Sequence, residues 1–336
     1  MRAIVITRPG GPEVLDLVNR PDPEPSRGEV RVRVKAAAVN RADLEQRRGR
    51  YPAPPGSPPD VPGLEFSGEI EKLGADVTQW NVGDRVFGLV GGGGYADALV
   101  THERLLARVP DGMSFVDAAA APEAFITAYD AMFTQAELAM GEWVLIHAVG
   151  SGVGTAAAQL ARVAGARSIG TARTASKLER ARGLGLDHGI TTSEASFADE
   201  VLRITGGSGV VVVLELVGGD YVREDLGCVA RGGRIILVGL LGGTEVRMDL
   251  GRLLVRRVVL RGTMLRSRPL EQKIAATDTF ARSVVPLLAA GRLKAVVDDV
   301  LPLADARLAH TRLEEGGTFG KLVLDCRRPW EVPDGG

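Results

Sequence analysis

Trp143-Val-Leu-Ile-His-Ala-Val-Gly-Ser-Gly-Val-Gly154 is the most informative segment of this 336-residue sequence. Trp143 to Ala148 is a short apolar run typical of a buried strand, and the Ala-rich segment Val153 to Ala164 predicts a helix. Glycines between a strand and a helix let the backbone approach a pyrophosphate, and a helix N-terminus offers free N–H donors. The segment therefore predicts a dinucleotide-binding turn, with a purely structural glycine-rich loop as the alternative.

The glycine spacing departs from the GxGxxG pattern. Counted back from Gly154, Val149 and Ser151 stand where the first two glycines would be. Ser151 could instead donate its hydroxyl group to a phosphate. The cofactor-binding residues predicted in this turn are Gly150, Ser151, Gly152, Val153 and Gly154.

The flanking sequence alternates between apolar runs and helical patterns. The predicted elements are a strand over Ser168 to Thr171, a charged helix over Ala175 to Gly183, and strands over Val210 to Leu214 and Arg234 to Val238. Apolar strands separated by helices indicate a parallel sheet covered on both faces. This part of the chain is therefore predicted to be a doubly wound α/β domain.

The end of the second strand of this domain indicates which dinucleotide binds. An acidic residue there accepts from the ribose 2′-hydroxyl of NAD, whereas basic residues accommodate a 2′-phosphate. No carboxylate occurs before Glu179, and Arg173, Ser176 and Lys177 offer two positive charges and a hydroxyl group. We predict NADP(H); in the alternative interpretation, Arg173 and Lys177 are solvated charges at the start of a helix.

Residues 1 to about 110 are β-rich by pattern. In Glu29 to Lys35 valines alternate with charged residues, as in a half-buried strand, and loops are predicted at Tyr51 to Pro62 and Gly91 to Gly94. After Met264 the sequence predicts a helix and two strands that return to this first domain; they cover Lys273 to Leu288, Ala295 to Val300 and Lys321 to Leu324. The predicted boundaries are 1–121 and 266–326 for the β-rich domain, 122–265 for the α/β domain, and 327–336 for a polar tail that frays.

Composition excludes several classes of protein. Hydrophobic residues are 45% and charged residues 25%, and the formal net charge of −1 gives no global field for nucleic acid or a membrane surface. Two cysteines without CxxC spacing cannot build a cysteine-based metal site. Without a secretory signal or a long apolar run, the sequence predicts a cytoplasmic protein.

A set of motifs in order resembles the medium-chain dehydrogenase/reductase superfamily. These motifs are Asn40-Arg-Ala-Asp43, Gly63-Leu-Glu-Phe-Ser-Gly68, Gly83-Asp-Arg-Val86, Gly94-Tyr-Ala96, Thr127-Ala-Tyr129, the turn at 148–154, and Gly232-Gly-Arg234 followed by Gly239. The resemblance implies a GroES-like β-rich catalytic domain and a Rossmann domain. Within the superfamily the sequence is similar to the zinc-free quinone oxidoreductases, including the zeta-crystallin-like and tumour-suppressor-induced subgroup, to which Leu265-Arg-Ser-Arg268 also corresponds.

The resemblance also implies that no catalytic metal is bound. Where zinc alcohol dehydrogenases carry Cys, His and Cys, this sequence has Asn40, Leu64 and Glu123, although Glu65 remains. Leucine has no metal-binding atom, and asparagine is a poor zinc ligand. We therefore expect metal-independent chemistry.

The expected reaction is hydride transfer from NADPH to a quinone, with Asn40, Tyr51 and Thr127 as catalytic residues. Asn40 and Tyr51 would face the substrate oxygen, with Tyr51 as a proton donor. The nicotinamide carboxamide would be held by Val238, Gly239, Leu240, Leu241, Thr263, Met264 and Leu265. In the alternative interpretations, Asn40 satisfies local backbone and Tyr51 packs on the prolines of its loop.

Two other functions stay open from the sequence. The first is an NADPH-dependent enoyl or enone reductase, because some members of the superfamily carry a proton-donating tyrosine eleven residues after the asparagine, as Tyr51 follows Asn40. The second is an NADPH-binding protein with little catalysis. By analogy a homodimer is expected, with Val258 to Leu260 as an edge strand.

The histidines and Cys228 have no predicted catalytic role. His147 is predicted to be a hydrogen-bonded core residue, and Cys228 a buried, inert thiol. His102, His188 and His310 lie in charged or loop sequence contexts and receive no role.

Overall fold

The structure is a computed structural model that describes residues 1–192 and 194–327. Of the predicted tail, residues 328–336 lie outside the described residues. In the part of the chain that is described, no helix has the length and apolar character needed to cross a bilayer.

The described chain contains fifteen strands. They are β1 (Arg2–Ile6), β2 (Leu15–Asn19), β3 (Glu29–Ala38), β4 (Glu65–Leu73), β5 (Arg85–Leu89), β6 (Ala98–His102), β7 (Leu106–Arg108), β8 (Trp143–Ile146), β9 (Arg167–Ala172), β10 (His188–Thr191), β11 (Val210–Glu215), β12 (Val229–Leu237), β13 (Val259–Gly262), β14 (Val297–Pro302) and β15 (Lys321–Asp325).

Most α-helices lie in the middle and the last third of the chain. They are α1 (Arg41–Arg47), α2 (Phe115–Ala119), α3 (Pro122–Tyr129), α4 (Gly152–Val163), α5 (Ala175–Arg182), α6 (Ala198–Ile204), α7 (Asp220–Cys228), α8 (Leu250–Arg256), α9 (Leu270–Ser283), α10 (Val285–Ala289) and α11 (Ala306–Glu315). A π-helical segment, Asp130–Gln135, continues directly from α3.

The chain forms two compact units, of which the first is discontinuous. It comprises Met1–Glu123 and the chain from Leu265 onward, and the second comprises Ala124–Met264. The main sheet of the first unit has the order β14-β15-β3-β4-β5-β7, with β6 also paired to β3. The long strand β3 alternates as predicted: Val30, Val32 and Val34 are buried in the core of this unit.

The second unit is a six-stranded parallel sheet in the order β10-β9-β8-β11-β12-β13. Counted within the unit, this is the 3-2-1-4-5-6 order of the Rossmann fold. The central strand β11 is almost entirely buried, which explains its continuous apolar sequence. The predicted α/β fold class is confirmed.

One predicted helix is wrong in its extent. The pattern predicts a single helix over Lys273 to Leu288, but the structure has two, α9 and α10, which meet at Val284. Pro286 lacks an N–H group and its ring clashes with the preceding turn, so it lies in the first turn of α10 instead of inside a longer helix. The predicted loop from Tyr51 to Pro62 contains no helix or strand.

Candidate functional site

The glycine-rich turn of the second unit connects β8 to α4. Ser151 is the N-cap of α4, and its Oγ accepts the N–H of Gly154 at 3.1 Å. A Cβ atom on Gly154 would lie 2.5 Å from the carbonyl oxygen of Ala148, so only glycine fits there. Within the described chain the N–H groups of Gly152 and Val153 have no acceptor. The turn thus presents two free N–H donors at a helix N-terminus, the arrangement that binds phosphate.

This turn lies where the order of the sheet reverses. β8 is flanked by β9 on one side and by β11 on the other. The chain runs from β8 through β9 to β10 in one direction and then crosses back to β11 on the other side of β8. Ligands of open parallel sheets bind outside the carboxyl ends of the strands at such a reversal. The predicted turn residues Gly150 to Gly154 follow the carboxyl end of β8 directly.

The predicted 2′-phosphate residues follow the carboxyl end of the neighbouring strand, β9. Arg173 comes immediately after β9 and is exposed, while Ser176 and Lys177 lie in the first turn of α5. Ser176 is exposed and Lys177 is half-buried. The structure therefore brings two basic groups and a hydroxyl group to one end of this sheet.

The other predicted cofactor residues of this unit follow the carboxyl ends of β12 and β13. The N–H groups of Val238 and Gly239 donate to the main-chain oxygen of Glu215, at 2.8 and 3.3 Å. Thr263 is fixed by its N–H to Leu237 O at 3.0 Å and by its Oγ1, which accepts from Gln135 Nε2 at 2.6 Å. Of the other predicted residues, Leu240, Leu241 and Met264 are exposed, and Thr127 is buried on α3. Leu265 is the first residue of the returning segment of the first unit.

In the first unit, Asn40 is buried and its side chain is fully engaged. Its Nδ2 donates to Glu65 Oε1 at 2.9 Å and to Ala38 O at 3.3 Å, and its Oδ1 accepts from the ammonium group of Lys321. Asn40 is also the N-cap of α1, where its N–H donates to Asp43 Oδ2 at 2.8 Å. The alternative interpretation of Asn40 as a residue that satisfies local groups therefore has structural support.

Lys321 is a site residue that the sequence did not reveal. Its ammonium group lies 2.6 Å from Glu65 Oε1, and both side chains are almost completely buried. The other oxygen of Glu65 accepts the N–H of Glu123 at 2.8 Å. Because a lysine at the start of a predicted strand normally reaches solvent, its sequence context gave no signal of a buried ion pair.

Tyr51 is half-buried against Arg266, a second residue without a predicted role. The guanidinium of Arg266 lies 4.9 Å from the centre of the Tyr51 ring and donates to Tyr51 O, Gly91 O and Gln46 Oε1, at 3.0, 2.7 and 2.5 Å. Burial raises the pKa of Tyr51 to about 12, against the opposing charge of Arg266. The phenol is therefore protonated at neutral pH, and its hydroxyl group has no hydrogen-bond partner within residues 1–192 and 194–327.

His310, which received no predicted role, is completely buried on α11. Arg47 Nη1 donates to its Nδ1 at 3.1 Å, so Nε2 carries the hydrogen and donates to the Tyr95 hydroxyl oxygen at 3.2 Å. Tyr95 in turn donates to Asp43 Oδ2 at 3.0 Å. Burial, assisted by Arg47, lowers the pKa of His310 to about 3, which keeps the imidazole neutral in this relay.

The remaining predictions for titratable residues of the second unit agree with the structure. His147 is completely buried, with Nδ1 2.9 Å from Thr171 Oγ1 and Nε2 2.9 Å from Asp225 Oδ1. Cys228 is completely buried, and burial raises its thiol pKa well above the ordinary value. His147 is thus the hydrogen-bonded core residue that was predicted.

Two family models match the chain. A model described as "Alcohol dehydrogenase GroES-like domain" matches residues 26–111, and one described as "Zinc-binding dehydrogenase" matches residues 152–282. They fall on the β-rich first unit and mainly on the parallel-sheet second unit, respectively.

Curated relatives include proteins of similar length and much larger synthases. The chain is 35% identical to a quinone oxidoreductase of Pseudomonas aeruginosa, covering 94% of this chain and 96% of the relative. It is 33% identical to the synaptic vesicle membrane protein VAT-1 homolog-like of Homo sapiens, over 98% and 81%. Identity is 39% to erythronolide synthase EryA2 of Saccharopolyspora erythraea over 92% of this chain, which spans only 8% of that synthase.

Solved structures of three enzymes are similar over nearly the whole chain. The Escherichia coli quinone oxidoreductase complexed with NADPH has a TM-score of 0.87 and 30% identity, over 97% of this chain and 100% of that chain. An NAD-dependent alcohol dehydrogenase has a TM-score of 0.86 and 34% identity, over 97% and 99%. The CurK enoyl reductase has a TM-score of 0.85 and 28% identity, over 96% and 98%.

Proposed function

Because the chain belongs to the medium-chain dehydrogenase/reductase superfamily of oxidoreductases, we propose that it transfers a hydride from NADPH to a quinone. The observation that carries this proposal is the glycine-rich turn with two free N–H donors, next to a basic strand end. Two proteins named quinone oxidoreductase match this chain over nearly their whole length, which supports the choice of substrate class.

The residues of the second unit fit NADP(H). The N–H groups of Gly152 and Val153 would bind the pyrophosphate, and the close approach at Gly154 leaves no room for a side chain. Arg173 and Lys177, with the Ser176 hydroxyl, would bind the 2′-phosphate. When bound, NADPH supplies the hydride; the protein supplies orientation.

The residues of the first unit do not fit a catalytic zinc ion. Leu64 offers no ligand atom, and Asn40 Oδ1 and Glu65 Oε1 are already bound to the ammonium group of Lys321. A divalent cation placed there would be repelled by this fixed positive charge. The proposed reaction therefore has no step at a metal, which suits quinones because the hydroquinone anion is stabilised by delocalisation.

Three side chains are proposed to act on the substrate. Tyr51 would donate the proton of its phenol, which Arg266 fixes in place and burial keeps protonated. Asn40 would offer to the substrate oxygen the N–H that now makes the longer contact, 3.3 Å, to Ala38 O. Thr127 is proposed as a third polar contact.

Reduction of a conjugated carbon–carbon double bond is the second candidate. The unpartnered hydroxyl of Tyr51 favours it, since it could protonate carbon after hydride addition. The similarity to an enoyl reductase structure is consistent with this reaction.

Cofactor consumption by the purified, EDTA-treated protein tests the proposal. NADPH and NADH are compared against ortho- and para-quinones, enones and enoyl-CoAs. Rapid oxidation of NADPH by quinones, unaffected by EDTA, is the expected result. Preference for enones or enoyl-CoAs would establish the second candidate, and NADPH binding without turnover of any acceptor would leave only a binding function.

We also propose that the protein is a homodimer. β13 is the edge strand of its sheet, and its Val259 is exposed. On the preceding helix α8, Leu250, Leu254 and Val255 are 61%, 74% and 75% exposed. An exposed apolar helix that leads into an edge strand is typical of a surface that a second copy covers.

A further inference from the structure

Three ionisable side chains meet in the interior of the second unit without a described role. His147 follows the carboxyl end of β8, Glu215 ends β11, and Asp225 lies on α7. All three are completely buried. His147 Nε2 lies 2.9 Å from Asp225 Oδ1 and 3.6 Å from Glu215 Oε2. We call them the His147–Glu215–Asp225 cluster.

The two carboxyl groups of this cluster are incompletely satisfied. Glu215 Oε2 and Asp225 Oδ2 are buried oxygen atoms without a hydrogen-bond partner in the described chain, and the two carboxyl groups lie close enough to act on each other's pKa. No described lysine or arginine donates to either group. Two adjacent buried carboxylates without a cation are strongly unfavourable, and each orphaned oxygen adds a desolvation penalty.

We propose that Glu215 and Asp225 share one proton between Oε2 and Oδ2, and that the cluster positions the backbone segments that bind the dinucleotide. A single shared proton supplies the missing hydrogen bond to both oxygens and removes one negative charge. The positioning part rests on the proposed NADP(H) site; the shared proton does not.

The surroundings of the cluster favour this protonation. Burial raises the pKa of both carboxyl groups and lowers the pKa of His147, so the imidazole is neutral. Its ring packs against Phe197 and Tyr221, with centroids 4.7 and 5.0 Å away. The other groups facing the cluster are Thr171 on β9, Glu224 and Cys228 on α7, and Arg173, whose charge acts on Tyr221.

Glu215 connects the cluster to the proposed nicotinamide segment. Its Oε1 accepts the N–H groups of Val217 and Gly218, at 2.5 and 2.9 Å. Its main-chain oxygen accepts from Val238 and Gly239, and Val217 O accepts the N–H of Gly242 at 2.6 Å. One side chain therefore holds the turn after β11, and that turn holds the segment from 238 to 242.

His147 makes the corresponding connection to the glycine-rich turn. Its Nδ1 pairs with Thr171 Oγ1, while the main-chain oxygen of Thr171 accepts the N–H of Val149 at 2.9 Å. The residue after His147, Ala148, has a φ of +45°, a strained conformation that its neighbours must hold. The cluster thus lies beneath the end of β8 and the end of β11, the two strands where the sheet order reverses.

Infrared spectra of the protein without cofactor, compared between the wild type and variants, test for the shared proton. At neutral pH the wild type should show the C=O stretching band of a protonated carboxyl group that both Glu215→Gln and Asp225→Asn remove. The control Asp220→Asn replaces an exposed carboxylate on the same helix and should leave the band unchanged. Absence of the band in the wild type, or its survival in both variants, would overturn the proposal.

The pH dependence of stability gives an independent readout. Between the ordinary Glu pKa of 4.5 and about 8 the folded protein holds a proton that the unfolded chain has released, so wild-type stability falls as pH rises. Glu215→Gln carries no such proton, and its Tm relative to the wild type should rise from acid to neutral pH. A constant difference would contradict the shared proton.

NADPH affinity tests the positioning role. The Kd of Glu215→Ala should rise by roughly tenfold or more, because Val217 and Gly218 lose their acceptor, and Glu215→Gln should restore most of the affinity. A lowered Tm with unchanged Kd in Glu215→Ala would reduce the cluster to a stability role. If the wild type bound no NADPH, the positioning role would fail with the proposed function, while the infrared result would still decide the proton.

Metal analysis tests the alternative that the His147–Glu215–Asp225 cluster binds a divalent metal ion. One histidine nitrogen and two carboxylate oxygens within 4.8 Å of one another form a donor set that a divalent ion could also use. A stoichiometric divalent metal in the purified protein, lost in Glu215→Gln, would overturn the shared proton. Metal-free protein with the infrared band is the expected result.

Discussion

Among single residues, Tyr51 offers the sharpest test of the chemistry. Tyr51→Phe removes the phenolic proton but keeps the ring beside Arg266. Turnover should fall by about 10²-fold, the usual contribution of a general acid, while the Kd for NADPH and the Tm stay at the wild-type values. Steady-state kinetics, cofactor titration and thermal unfolding measure these three quantities. Unchanged turnover would remove Tyr51 from the mechanism.

The buried ion pair between Lys321 and Glu65 can be tested by a single substitution. Lys321→Met leaves the Glu65 carboxylate buried without its cation, so the free energy of unfolding should fall by about 3–5 kcal/mol. The matched control, Lys72→Met, breaks an exposed pair with Glu24 and should cost less than about 1 kcal/mol. Urea denaturation measures both. Similar losses in the two variants would show that the Lys321–Glu65 pair is not an essential buried pair.

Among the elements, the turn into α4 offers a test of the proposed phosphate site. In Gly154→Ala the new Cβ would meet backbone atoms of Ala148 and Val149 at 2.5 and 2.6 Å, which must move. We expect the free energy of NADPH binding to weaken by about 1–3 kcal/mol, which corresponds to a roughly ten- to hundredfold rise in the Kd for NADPH. Gly317→Ala, where a Cβ meets nothing within 4 Å, is the control. Equal affinity in the two variants would argue against phosphate binding at this turn.

The elements also show what a sequence can reveal. The strands and helices around the glycine-rich turn were predictable, because hydrophobic periodicity and turn residues are local signals. The helix over Lys273 to Leu288 was wrong because periodicity outweighed the effect of Pro286. Lys321 and His310 were missed because their partners, Asn40 and Arg47, lie 281 and 263 residues away, and no local pattern records such contacts.

At the scale of the whole molecule, oligomerisation is the testable property. If a second copy covers α8 and β13, light scattering should give twice the 35.5 kDa of one chain. Leu254→Glu places a charge at an apolar position that is 74% exposed, so it should shift the mass toward that of one chain without lowering stability. Leu308→Glu, an exposed position on α11, is the control. A wild-type mass of 35.5 kDa would refute the dimer.

The division of the first unit into two stretches of sequence orders events during biosynthesis. The second unit is continuous, so its sheet can form as soon as it emerges, whereas β15 pairs with β3 across almost 290 residues. At the usual rates of translation, roughly 15–60 s separate the two strands. Until β15 is made, Asn40 and Glu65 lack the ammonium group of Lys321. A nascent chain would therefore fold the unit proposed to bind NADP(H) well before its proposed catalytic residues are held in place.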